Sequence, residues 1–183
     1  MKYDCVGLLE LSSIAKGIFT ADALLKKASV SIIFSHPISS GKYLIFFEGE
    51  VEEVTSALET AKEVAGKSLV DCLWIPQLHA QIRSVLQQKV AVSSLEAVGV
   101  FETATCASSI VSVDAALKED KVQLLELRLG KGIGGKAFWI IQGTVENVDS
   151  ALLAAQRSIP RSYIVEQILI PNATPDLLSV FQE

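Results

Sequence analysis

Nowhere in this sequence does an apolar run approach the ~20 residues that span a bilayer. Nor is there a block of Lys or Arg of the kind that follows a phosphate backbone, and the net charge is −5. Membrane insertion and nucleic-acid binding are therefore not expected. The opening Met1-Lys2-Tyr3-Asp4-Cys5 lacks the ~7–15 apolar residues of a signal peptide, so the reading is a soluble cytosolic protein. Cysteine is scarce: Cys5, Cys72 and Cys106 are far apart with no C-x-x-C spacing, which writes neither a zinc site nor a disulfide framework. Histidine is scarcer still. His36 and His79 have no companions at metal-ligand spacing, and no G-x-S-x-G elbow or paired-carboxylate motif stands beside them. The expectation is a protein that is not an enzyme and has no metal and no cofactor.

Apolar residues are abundant. Half of the chain is hydrophobic and a fifth is charged, more core and less solvated surface than a globular protein usually carries, so some apolar surface is expected to be covered between chains. At 183 residues the chain suits one large domain or two small ones. An internal repeat decides for two, 1–92 and 93–183. Pro37-Ile38-Ser39-Ser40-Gly41-Lys42 lies between the apolar runs 30–34 and 43–47. Ninety-four positions on (136 − 42), Gly132-Ile133-Gly134-Gly135-Lys136 lies between 122–129 and 137–141.

Within the first repeat, 6–11 reads as a strand, and Ser12 or Ser13 caps a helix running to Lys27. Strands follow at 30–34 and 43–49, the latter too continuously apolar to have a face in water. Val51, Val54, Leu58, Ala61 and Val64 recur at three and four, one stripe of a helix closed by Gly66. A fourth strand, 69–75, stops at Pro76, and 80–87 forms a short helix before the join at 88–94. The second repeat keeps this order: 98–102 matches 6–10 at an offset of 92 (102 − 10), and 164–171 answers 69–76 at 95 (171 − 76), the drift falling in turns. Strand, helix, strand, strand, helix, strand, plus a terminal helix, is the split βαβ arrangement of a ferredoxin-like α+β domain, sheet on one layer and helices on the other. That superfold does not by itself give a function.

Gly130 to Lys136 matches G-x-x-x-x-G-K, but Ala137 stands where a phosphate loop needs Ser or Thr, and the loop leads into a strand instead of a helix. The glycines are better explained by a turn that needs positive φ or close approach of backbones.

Gly7-Leu8-Leu9-Glu10, the Asp22-Ala23-Leu24-Leu25-Lys26 helix, the Ile38-Ser39-Ser40-Gly41 turn, the Gly49-Glu50-Val51 step and the Ile75-Pro76 strand end together resemble the bacterial microcompartment shell domain. The second repeat resembles it again in the same unpermuted order, so the resemblance spans nearly the whole chain. It implies the tandem subtype of shell protein: a homotrimer whose six domains form a pseudohexamer that tiles a protein-walled organelle beside other shell proteins and the encapsulated enzymes. It also implies that the turns after the second strands line a pore on the ring axis, here Ile38, Ser39, Ser40 and Gly41 with Gly132, Ile133, Gly134 and Gly135. Tandem shell proteins that hold an iron–sulfur cluster on that axis, the propanediol-utilisation type among them, carry a cysteine where this chain has Ser39. A cluster is therefore not expected, since an alcohol is not the soft anionic ligand such clusters use. A ring of hydroxyls either passes a small polar metabolite or is an occluded turn with no traffic. By the same resemblance Lys26 and Lys118 belong at the tile edge, or else are ordinary solvated lysines. The arginine frequent after the fourth-strand proline is replaced by Gln77 and Asn172. Two rivals remain, a regulatory protein binding a small ligand in ferredoxin-like tandem domains and a shell protein relaying electrons through a metal.

Overall fold

Each change of hydrophobic period along the chain, from two to about 3.6, marks a passage from strand to helix. The computed structural model of the chain describes residues 3, 5–88, 90 and 94–177. Within them run β1 (Cys5–Leu11), α1 (Ile14–Lys27), β2 (Ser31–Ile38), β3 (Lys42–Gly49), α2 (Val51–Ala65), β4 (Leu69–Ile75) and α3 (Ala80–Gln87). The second repeat supplies β5 (Ala97–Thr103), α4 (Cys106–Glu119), β6 (Gln123–Leu129), β7 (Ala137–Gly143), α5 (Val145–Ser158) and β8 (Ile164–Ile170). Two four-stranded sheets result, ordered β2-β3-β1-β4 and β6-β7-β5-β8, antiparallel at every pairing. This is the α+β split βαβ architecture in two copies.

The chain divides into two compact units. The first takes residues up to Leu78 together with two short pieces of the second repeat, Thr105–Ala107 and Gly130–Gly135; the second takes His79–Ala104, Ser108–Leu129 and the rest from Lys136. In the first unit, Leu9, Leu11, Tyr43, Ile45 and Phe47 of the sheet meet Leu24, Val54, Leu58 and Ala61 of the helices. The opposite face of the same strands, Val6, Leu8, Leu44 and Phe46, is also fully buried. β3 is thus covered on both sides, as its unbroken apolar run requires. α1 starts at Ser13, whose hydroxyl accepts from the Lys16 N–H, a cap worth about 1 kcal/mol. α2 ends at Gly66 with φ of 53°.

In the second unit Trp139 is fully buried, stacked on Phe101 at 4.9 Å, and donates its indole N–H to Ser112 Oγ at 2.9 Å. α3 belongs to this unit. The Gln81 side chain donates to Val122 O at 2.9 Å and accepts from the Leu124 N–H at 2.8 Å, fastening α3 beside β6.

Four details differ from the sequence reading or fall outside it. β2 runs on through Pro37 and Ile38 and β3 begins at Lys42, so of the six residues between the apolar runs only Ser39–Gly41 form the turn. β2 is an edge strand, with amide donors needed on one side only, so proline is tolerated there. The start of the second repeat's first helix, which the sequence reading did not give, is Cys106, 92 positions after Ile14 of α1 (106 − 14). The terminal helix expected after β8 lies mostly outside the described residues, as do Lys89 and 91–93 of the join. The repeat offset is 92 at the start of β2 and β6 (123 − 31) and 94 at Lys42 and Lys136 (136 − 42), because the second hairpin turn is two residues longer.

Candidate functional site

The two hairpin turns lie together in the first unit, and their chemistry is set by backbone conformation. Ser39–Gly41 is a single tight turn in which Ser40 has φ of 62° and Gly41 has φ of 72°. Ser40 is the one non-glycine with positive φ among the described residues. Such a residue costs roughly 1 kcal/mol and persists where its surroundings hold it. In the other turn Gly130, Gly132, Gly134 and Gly135 all have φ between 66° and 79°. The glycines of the apparent phosphate-loop pattern therefore serve left-handed backbone, and the segment leads into β7.

Hydrogen bonds join the turns residue by residue. The Ser39 N–H donates to Gly130 O at 3.2 Å, and Ser39 Oγ accepts from the Gly132 N–H at 2.8 Å. Ser40 Oγ donates to Gly134 O at 3.1 Å. Gly130 is also sterically required: an added Cβ would stand 2.6 Å from Ile38 Cδ1 and 3.2 Å from Cys106 Sγ. Ile38 itself is buried at the end of β2, so the exposed part of the first turn is Ser40 and Gly41 with the half-covered Ser39. Gly132 and Gly134 are exposed on the second turn, Ile133 is half-buried and Gly135 is buried.

Next to the turns is a buried charge that no sequence motif marks. Glu10, with a side chain wholly removed from solvent, accepts from Lys42 Nζ at 2.7 Å through one oxygen and from the Cys106 N–H at 2.7 Å through the other. Lys42 also reaches Gly135 O at 3.4 Å. Beside Glu10 on the sheet, Asp71 accepts from the Thr105 hydroxyl. The Glu10 carboxylate at the first turn of α4 meets the positive end of the helix dipole, and its two donors, the Cys106 N–H and the Lys42 ammonium, offset its desolvation. Burial, reinforced by the Glu10 carboxylate, pushes the Cys106 thiol well above the ordinary range, so it stays protonated and inert. The legible signal was an acid inside an apolar strand with a lysine opening the next but one, repeated as Glu102 and Lys136.

The remaining sites named from sequence are dispersed. Lys26 pairs with Asp22 at 2.6 Å and Lys118 with Asp114 at 2.5 Å, each four residues along its own helix. His36 stacks on Phe34. His79 caps α3: its Nδ1 accepts from the Gln81 N–H, and its own N–H donates to Asp114. Burial lowers the pKa of His79, with Asp114 opposing and Lys118 reinforcing. Cys5, Cys72 and Cys106 are free thiols, and among the described residues no group of three His, Cys, Asp or Glu could hold a metal ion. The donor set at the turns does not fit an iron–sulfur cluster, since Ser39 offers an alcohol already held by Gly132.

Comparison with known proteins agrees with this geometry. The BMC domain model matches twice, at residues 5–78 and 97–173. The bacterial microcompartment shell protein PduT of Citrobacter freundii is 36% identical over 168 residues, covering 91% of each chain. The carboxysome assembly protein CcmO of Synechocystis is 28% identical, with 94% of this chain matched to 62% of that one. The crystal structure of a microcompartment protein from Desulfitobacterium hafniense superposes with a TM-score of 0.84 at 35% identity, covering 97% of this chain and 99% of the other. Two sheets of identical order, two hairpin turns tied to each other and two matches to one domain model lead to a single conclusion: the chain belongs to the BMC-domain family of bacterial microcompartment shell proteins, with two such domains in tandem.

Proposed function

We propose that three copies of this chain close into a six-domain ring, a non-catalytic structural tile of a microcompartment shell in the bacterial cytoplasm, set among other shell proteins. In this reading the repeats 1–92 and 93–183 alternate around the ring. The turns at 38–41 and 132–135 line its axis, and Lys26 and Lys118 lie toward its rim. The observation that supports it best is the lacing of the two turns through Ser39 and Ser40, which places both hairpin ends of one chain at one locus. Exposed apolar side chains on α1, Ile18 at 56% and Phe19 at 59%, supply surface that a ring would cover. Closed rings built from one repeated contact are ordinary cyclic symmetry.

Native mass spectrometry tests the ring: three times 19.7 kDa gives a species near 59 kDa, and a monomer or dimer refutes it. Axial passage of a small polar solute is a finer part of the same reading. Ser39 retains its hydroxyl proton and Ser40 its acceptor lone pairs after the bonds described, so a solute still meets both polarities. Equal solute flux through wild-type and Ser39→Leu shells would leave the turn as an occluded plug.

A second reading, a small-ligand regulator, has one observation behind it. A cleft of about 790 Å³ in the second unit is lined by His79, Gln81, Glu96, Asp120, Lys121 and Gln142 among others. A metabolite filling it would raise the melting temperature by linkage.

A further inference from the structure

The pairing of Glu10 with the start of α4 has an unfilled twin. By sheet register Glu10 opposes Leu44 and Asp71, while Glu102 opposes Phe138 and Glu166, so Glu102 and Glu166 are the second-repeat counterparts of Glu10 and Asp71. Lys136 pairs with Glu102 at 2.8 Å as Lys42 pairs with Glu10. The surroundings are opposite. The Glu10 side chain is 0% exposed and holds the Cys106 N–H, whereas Glu102 is 33% exposed and Glu166 lies open on the surface.

The complementary half is also duplicated and also open. Thr105 and Cys106, which donate to Asp71 and Glu10, correspond at an offset of 92 to Ser13 and Ile14 at the start of α1. Neither α1 nor α4 has an acid of its own in its first turn. α4 receives the Glu10 carboxylate there, and among the described residues α1 has the Ser13 cap on Lys16. Beside it Ile14 and Ile18 are 40% and 56% exposed, while their counterparts Cys106 and Ile110 are 0% exposed.

We infer that Glu102 of one copy accepts the Ile14 N–H of a second copy of this chain, and Glu166 the Ser13 hydroxyl, so that the joint already made inside the first unit is repeated between copies. This rests on the ring reading and deepens it by naming the groups that close it. The Ser13 hydroxyl can accept from the Lys16 N–H and still donate its own proton. The Glu102 carboxylate meets the positive end of α1, and the Ile14–Ile18 surface is covered in the same step. The joint is heterologous, acid of one copy to helix start of the next, so it closes only as a ring.

The test is the trimer dissociation concentration, by sedimentation with circular dichroism as the control for folding, of wild type, Glu102→Ala, Ile14→Ala, Ile14→Pro and the Glu102→Ala/Ile14→Pro double variant. Proline fits the first helical position, where it removes the amide donor together with the isoleucine side chain, and Ile14→Ala separates the two losses; Ser13, with φ of −134° and ψ of 125°, already has the extended backbone that precedes proline. Expected are at least tenfold weaker trimers for Glu102→Ala and for Ile14→Pro. Ile14→Ala, which keeps the N–H, should lose less than Ile14→Pro, and the double variant should be no weaker than the worse single one. A wild-type trimer indifferent to Glu102→Ala, or a double variant whose losses simply add, overturns the joint and leaves the ring standing. A wild type that is not a trimer removes both.

Discussion

At Glu10 a single carboxylate serves three elements: β1 carries it, β3 supplies Lys42 and α4 supplies an amide. Glu10→Ala leaves a lysine and a helix-terminal N–H without their acceptor in a buried site. The expected loss is about 3 kcal/mol in urea unfolding, against near zero for Asp22→Ala in the exposed pair with Lys26. Glu10 was visible in the sequence as an anomaly in an apolar strand, but its partners were not, because they stand 32 and 96 positions away. His79 gives a pH signature. Burial depresses its folded pKa, and its Nδ1 lone pair accepts from Gln81, which protonation forbids. The unfolded chain therefore binds this proton more readily, so the stability involved is present above about pH 6.5 and lost as pH falls below it. His79→Asn keeps a capping acceptor without titrating. It should remove that part of the pH dependence when melting is compared at pH 7.5 and 5.5.

Among the elements, α1 and α4 come from one pattern with the same length, and the same Asp and Lys form the same intrahelical pair. Their environments differ: α4 is buried on most sides while α1 shows Ile14, Ile18, Phe19 and Leu25 to solvent. Changing Ile18 and Phe19 together to Ser should alter urea unfolding of the dissociated chain by no more than ~0.5 kcal/mol per site, since exposed side chains contribute little there. In the proposed ring the same change should lower the trimer fraction seen by native mass spectrometry. Helices, strands and their order were legible because hydrophobic period is a local property. The end of β2 was not, since Pro37 reads as a turn until the strand is known to lie at a sheet edge.

For the whole molecule, the proposed ring of folded chains would make stability depend on concentration. Its melting temperature should rise with each tenfold increase in protein, whereas a monomer's stays constant. That measurement weighs the excess of apolar surface that composition alone disclosed.

The sequence by itself determined two copies of one α+β domain, their family and the positions of both hairpin turns, because repeats and periods are written between neighbours along the chain. Only the tertiary structure decided that the turns are laced through Ser39 and Ser40. It alone showed that Glu10 is a buried anchor, and that Glu102, the same residue in the same pattern, is left open. The reason is physical: a carboxylate's role depends on which donors surround it and how much water they displace, and for Glu10 those donors come from segments 32 and 96 residues away.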